Sequence, residues 1–148
     1  MLKKLALPAA LYLLSATAAF AADVGSITIH VTGLKNDKGV IRIALFNSKD
    51  NYTNDKGSAE GAYKKDVAPI KGAQSTYSFE SVPYGEYAIK LFHDENNSGK
   101  FLTNMVGIPK VEYGFSNNAK GMFGPASYDK AKFALKDQKL DMTINAIH

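Results

Sequence analysis

The residues that could do chemistry are concentrated between His93 and Lys100, where the sequence is HDENNSGK. His93 beside Asp94 or Glu95 could act as a general base with an acid partner, because imidazole titrates near neutral pH. Serine or cysteine catalysis is not indicated, since the chain has no cysteine and no Gly-x-Ser-x-Gly sequence. The catalytic hypothesis is therefore a hydrolase that uses these three residues, and its alternative is a packed histidine that anchors a loop.

The same segment matches the first half of a calcium-binding loop, in which oxygen ligands alternate before a glycine. The candidate ligands are Asp94, Asn96, Ser98 and the carbonyl of Lys100. The second half does not follow, because Met105 stands where a bidentate glutamate should close the coordination shell. We expect weak calcium binding at most, and the alternative is a turn in which Asp94 and Asn96 accept hydrogen bonds from backbone amides.

The three histidines give no pattern for a zinc or iron site. His30 lies on the polar face of a predicted strand and His148 is the last residue, so no two histidines have metal-ligand spacing. The sequence therefore predicts no cofactor other than weakly bound calcium.

A second candidate region lies between residues 101 and 128, where aromatic residues alternate with glycines in no regular period. Long loops of this composition are usually ordered, and loops on a rigid scaffold often carry recognition. We expect either a secondary core over one end of the domain or a ligand-binding face. The candidate ligand-binding residues are Tyr113, Phe115, Asn117, Asn118 and Phe123.

The elements that must position these residues are predicted to be strands. Apolar and polar residues alternate within 25–47, within 77–91 and within 133–146, and each segment contains a turn at its centre. Each segment is predicted to be a hairpin, and residues 47–72 to be a surface connection with room for a short helix. The fold class is therefore all-β, a single antiparallel β-sandwich of about seven strands with a long ordered aromatic and glycine-rich loop.

The parity of the strands also predicts the core. Ile43, Phe79, Ile89 and Ile144 each lie on the apolar side of their strand, so we expect them to face one another between the sheets. His93 has the parity of Ile89 and should point the same way.

The first residues are typical of a signal peptide. Lys3 and Lys4 precede an apolar stretch, and Ala19-Phe20-Ala21 is a small-x-small cleavage site. Residues 1–21 are predicted to be removed, leaving residues 22–148 as one domain in the periplasm or outside the cell, with no membrane span. The alternative is an uncleaved anchor, against which Pro8 argues.

The charge of the predicted mature chain excludes one class of partner. Without its first 21 residues the chain has 16 basic and 14 acidic residues, and its longest basic run is the pair Lys64-Lys65. A nucleic-acid-binding domain needs a clustered basic face, so we expect no nucleic-acid partner.

Five motifs together resemble a known family. They are YGEYAI at 84–89, HDENNSGK at 93–100, GIP at 107–109, YGFSNN at 113–118 and FGP at 123–125. In these motifs the chain is similar to the exported bacterial family called domain of unknown function 2141 (DUF2141). The resemblance implies a transthyretin-like (prealbumin-like) or carboxypeptidase-regulatory-like sandwich, a periplasmic location and no established activity. Family members commonly have an aspartate shortly after the Gly-Lys of the acidic loop at 93–100, where this chain has FLTN at 101–104. This departure weakens a metal role for the loop.

Three functions follow as hypotheses. The first is a non-catalytic binding or structural module of the cell envelope that contacts a protein, peptide or glycan through residues 93–128. The second is the hydrolase that uses His93, and the third is a β-sandwich that binds calcium weakly.

Overall fold

The structure is a computed structural model that describes residues 3–6, 8 and 23–148. The predicted cleavage site after Ala21 lies outside the described residues, as does most of the predicted signal peptide. Within the described part of the chain, no helix has the length and apolar character needed to cross a bilayer.

The described chain is mostly β, as the alternating patterns predicted. It contains eight strands, two short α-helices and one 3-10 helix at Ser116–Asn118. The strands are β1 (Val24–Thr32), β2 (Val40–Phe46), β3 (Lys64–Pro69), β4 (Ser75–Pro83), β5 (Gly85–Asp94), β6 (Tyr113–Phe115), β7 (Phe133–Leu135) and β8 (Lys139–Asn145). The helices are α1 (Lys49–Asn54), which lies in the predicted surface connection, and α2 (Tyr128–Ala131).

The strands form two sheets. One has three strands in the order β4-β1-β8, and the other has five, in the order β3-β2-β5-β6 with β7 also paired to β5. The pairing of β1 with β8 is parallel, whereas the other strand pairs are antiparallel. The prediction of a purely antiparallel fold was therefore wrong for the C-terminal strand.

The three predicted hairpins were also wrong, although their strands are present. β1 and β2 lie in different sheets, as do β4 and β5, and β7 and β8. Two strands that turn the same apolar side toward a shared core show the same alternation whether they pair directly or cross from one sheet to the other. The sequence pattern could not distinguish these two connections.

The core lies between the two sheets and confirms the predicted parity. Ile43, Phe79, Ile89 and Ile144 are all buried in one apolar cluster that draws on both sheets. Gly114 lies against this cluster, where a β-carbon would come within 2.6 Å of Ile144 Cγ2.

A second, smaller apolar cluster covers part of the outer face of the five-stranded sheet. Tyr52 of α1 packs there against Phe46, with ring centroids 5.5 Å apart, and Tyr128 of α2 packs against Tyr52 at 5.6 Å. The Tyr52 hydroxyl donates to the carbonyl of Ala126 over 2.8 Å, which fastens the loop before α2 to α1. The rest of this outer face is left open and forms the first candidate site.

Candidate functional site

The open part of the outer face is a groove of about 810 Å³. Its floor is formed by β2, β5 and β6, and its walls by residues 53–59, residues 99–103 and part of β3. We call it the sheet groove. The floor residues Arg42, Ala44, Lys90 and Phe92 alternate with core residues along β2 and β5, so the regular pleat of the sheet aims them into the groove.

A row of aromatic rings lines one side of the sheet groove. Phe92, Phe101, Tyr113 and Phe115 follow one another with centroid separations of 5.5, 6.0 and 5.9 Å, each pair edge to face. This arrangement is favourable for aromatic pairs and gives a rigid, uneven apolar surface.

Lys90 is a largely buried cation at the centre of the groove floor. Its ammonium donates to the carbonyl of Tyr52 over 2.7 Å and to the Asp55 carboxylate over 3.3 Å, and lies 4.3 Å from the centroid of the Tyr52 ring. Burial lowers the pKa of Lys90, and the Asp55 carboxylate acts in the opposite direction. Lys90 is therefore already held by partners within the protein.

Arg42 lines the groove and pairs with the buried Asp94. The Arg42 guanidinium donates from Nε to Asp94 Oδ2 over 2.5 Å and from Nη2 to the side-chain oxygen of Asn97 over 2.9 Å. Asp94 also accepts from the backbone N–H groups of Ser98 and Gly99, over 2.9 and 2.8 Å. Burial alone raises the pKa of Asp94, but Arg42 and these amides outweigh it and the pKa is lowered.

At Asp94 the loop has the geometry of the predicted amide-binding turn, whereas Asn96, the other predicted acceptor, receives no hydrogen bond from a backbone amide of the described residues. Both Asp94 carboxylate oxygens already accept hydrogen bonds from protein donors, and a guanidinium supplies the cation. Asn96, Ser98 and Lys100, the other predicted calcium ligands, are exposed. Calcium would have to compete with Arg42 for Asp94.

The predicted acid–base pair of His93 with Asp94 is not formed. Consecutive strand residues point to opposite faces, and His93 lies in the interior while Asp94 faces Arg42. His93 instead comes together with Glu95 and Glu112, whose side-chain ligand atoms lie within 4.8 Å of one another. The ring of His93 is 0% exposed and does not line the sheet groove.

The predicted ligand-binding residues divide into two groups. Tyr113 and Phe115 line the sheet groove. Asn117 donates to the carbonyls of Lys130 and Lys132, and Asn118 exchanges hydrogen bonds with the backbone of β8, so these amides bind the protein itself. Phe123 is 99% exposed and is not part of the groove. Asn117, Asn118 and Phe123 therefore do not form one binding face with Tyr113 and Phe115.

Three charged residues of the groove were not predicted from the sequence. Lys90, Asp55 and Arg42 were not singled out, because each looks like an ordinary polar residue beside a strand or helix. One signal was available: Lys90 is the only charged residue in the run Tyr87–Phe92 and stands between the apolar residues Ile89 and Leu91, so its charge had to lie on the opposite face from the core.

Comparison with curated proteins and with solved structures gives no match. One family model matches residues 29–143, and it is described as an uncharacterized protein conserved in bacteria (DUF2141). The match covers most of the chain, including all three strands of the groove floor and the acidic loop. The chain therefore belongs to the DUF2141 family.

Proposed function

We propose that this chain is a non-catalytic binding domain of the bacterial cell envelope, and that the sheet groove holds an acidic peptide segment of a partner protein. The proposal includes export after removal of residues 1–21 and a transthyretin-like sandwich as the scaffold. Two packed sheets with a core between them support that scaffold.

The size and lining of the groove carry the proposal. A volume of about 810 Å³ lies within the roughly 300 to 1,000 Å³ typical of ligand sites. The lining combines the aromatic row with a few charged groups, as such sites usually do. Its edge-to-face rings suit the branched or aromatic side chains of a peptide better than the flat face of a sugar, which stacks on an open ring.

Charge argues for an acidic occupant. The lining includes four basic residues, Arg42, Lys56, Lys65 and Lys90, and two acidic residues, Asp55 and Asp66. Lys56 and Lys65 are exposed at the rim, where they can reach a carboxylate, whereas Arg42 and Lys90 already have partners. A positive rim steers and orients an anionic segment more than it adds affinity.

A defined peptide pair tests this proposal. One extended peptide contains a phenylalanine flanked by aspartates, and the other has lysines in place of the aspartates. Titration of the labelled protein by NMR should shift the amide signals of Phe92, Phe101 and Tyr113 with the acidic peptide and not with the basic one. Equal shifts with both peptides, or shifts confined to another surface, would overturn the proposal.

A pair of matched variants adds a control for the surface. Val67 is 43% exposed and lines the groove, and Val24 is 42% exposed and lies outside it. Val67→Asp should abolish the peptide-dependent shifts because it places a negative charge in the groove, while Val24→Asp should leave them unchanged. Loss of binding in both variants would count against the groove.

A further inference from the structure

The interior of the five-stranded sheet contains a histidine nitrogen that has no hydrogen-bond partner. His93 Nε2 lies 2.6 Å from the carbonyl oxygen of Lys38, and a carbonyl can only accept, so Nε2 carries a proton. In the neutral ring Nδ1 then has a free lone pair. Nδ1 is buried and has no partner among the described residues.

Two carboxylates lie close to this histidine. Glu112 Oε2 lies 3.5 Å from His93 Nδ1, and the Glu112 side chain is 3% exposed. The backbone N–H of His93 donates to the carbonyl of Glu112 over 2.8 Å, which holds the two residues side by side. A carboxylate oxygen of Glu95 lies within 4.8 Å of a ring nitrogen of His93 and of a carboxylate oxygen of Glu112.

One segment, residues 35–38, forms a hydrogen bond with each of these three side chains. The Lys35 backbone N–H donates to Glu112 Oε1 over 2.9 Å, and the Asn36 amide donates to Glu95 Oε1 over 3.1 Å. The carbonyl of Lys38 accepts from His93 Nε2, as described above. For His93 and Glu112, these bonds leave free the two atoms that face each other, Nδ1 and Oε2.

Such a cluster needs a positive charge at its centre. The side chains of His93 and Glu112 are 0% and 3% exposed, so water does not solvate the carboxylate oxygen and the ring nitrogen that face each other. A buried carboxylate against a nitrogen lone pair is unfavourable without a cation. The ammonium of Lys35 is directed elsewhere, 2.9 Å from His148 Nε2.

We infer that His93, Glu95 and Glu112 form a binding site for a divalent transition-metal ion, with Zn²⁺ as the representative ion. Metal-binding histidines usually donate their second ring N–H to a carbonyl or carboxylate, as His93 does to Lys38. Tetrahedral zinc with bonds of about 2.0 to 2.1 Å places neighbouring ligand atoms about 3.4 Å apart. His93 Nδ1 and Glu112 Oε2 are already 3.5 Å apart.

The ligand set also limits the ion. One imidazole nitrogen and two carboxylates suit Zn²⁺ or Mn²⁺ better than calcium, which takes six to eight oxygens. Glu95 is half-buried, so the ion would reach the site from the side of the acidic loop. Three protein ligands leave a fourth position for water.

Calorimetric titration of the chelator-treated full chain with Zn²⁺ tests the site. We expect one ion per chain, and a loss of affinity of at least about tenfold in Glu95→Gln, the loss that even outer-shell changes cause. Glu60→Gln is the matched control, since Glu60 is exposed on another loop, and its affinity should equal that of the wild type. Glu112 is buried, so Glu112→Gln would also disturb the packing around it. Glu95→Gln, at a half-buried residue, is therefore the primary test.

The ¹⁵N signals of the His93 ring provide a second readout. Zn²⁺ should shift Nδ1 while Nε2 keeps its proton. A His93 ring that stays doubly protonated at saturating Zn²⁺ would show that a proton fills the cluster, and would overturn the inference. Absence of saturable Zn²⁺ binding would also overturn the inference. Zn²⁺ affinity that Glu95→Gln leaves unchanged would overturn it too, because the ion would then be bound elsewhere, at the exposed His30 or His148.

Discussion

Removal of the Asp94 side chain should destabilise the fold strongly. Asp94→Ala deletes the partner of Arg42 and the acceptor for the N–H groups of Ser98 and Gly99. The acidic loop then loses the group that orders it at the end of β5.

The size of the effect follows from burial. The Asp94 side chain is 2% exposed and that of Arg42 is 30% exposed. Breaking a buried ion pair costs about 3 to 5 kcal/mol, because the remaining charge is left without a partner. Arg42 can regain water, so we expect a loss near the lower limit, about 3 kcal/mol.

Urea denaturation measures this loss, with Asp129→Ala as the control. Asp129 also pairs with a cation, but both it and Lys49 are 61% exposed, so the control should lose less than about 1 kcal/mol. A loss in Asp94→Ala no larger than in the control would refute the argument that the turn depends on this carboxylate.

The effect of calcium distinguishes the two interpretations of the acidic loop, a calcium site and an amide-binding turn. Extracellular calcium modules bind with dissociation constants of roughly 0.1 to 1 mM, so about 10 mM calcium would stabilise a real site. Because Arg42 already occupies Asp94, we expect the same melting temperature in calcium and in chelator. A rise with calcium that Asp94→Ala abolishes would establish the site instead.

The stabilising effect of Asp94 should depend on pH. Its pKa is lowered in the folded state, so its stabilisation is complete above the unfolded value of about 3.8 and is lost as the pH falls through the folded pKa. Acid unfolding of Asp94→Asn should show a smaller change in stability over this range than the wild type. Equal acid sensitivity in the two proteins would assign the pH dependence to other carboxylates.

Three further predictions concern the core and the N-terminus. Ile89→Ala should cost about 2 to 5 kcal/mol in urea denaturation, because Ile89 is fully buried; a loss below about 0.5 kcal/mol would contradict its burial. Gly114→Ala should cost about 1 to 3 kcal/mol, because the added methyl meets Ile144. Gly124→Ala is the control, since a β-carbon there would meet no atom and the backbone of Gly124 is not in the left-handed region. Intact-mass measurement of the periplasmic fraction should show cleavage after Ala21, whereas a full-length mass in the membrane fraction would exclude it.

The sequence predicted the strands and the core better than the connections between strands. Period-two alternation reports which side of a strand is buried, and Ile43, Phe79, Ile89 and Ile144 are buried as expected. It contains no information on which strand lies alongside. The parallel contact of β1 with β8 joins residues more than a hundred positions apart, which no local pattern can show.

The candidate sites were predicted in part for a related reason. The acidic loop stood out because its ligand types are adjacent in sequence, and the burial of His93 followed from strand parity. Glu112 did not stand out, because it lies in the segment 101–128, which has no regular alternation, and it meets His93 only because the two backbones pair. The sheet groove was missed because it is built from four strands and two loops that lie far apart in the sequence.

The two proposed sites should act independently of each other, even though both use β5. Lys90 and Phe92 point outward into the sheet groove, whereas His93 points inward to the metal cluster, so the two sites lie on opposite faces of β5. Val67 and Glu95 share no hydrogen-bond partner, and substitutions at such sites are usually additive within about 0.5 kcal/mol, or roughly twofold in affinity. Val67→Asp should therefore leave Zn²⁺ affinity unchanged, and Glu95→Gln should leave binding of the acidic peptide unchanged. A change of more than about fivefold, or roughly 1 kcal/mol, in either cross-measurement would contradict independence and would implicate the Arg42–Asp94 pair, which connects the groove to the turn that carries Glu95.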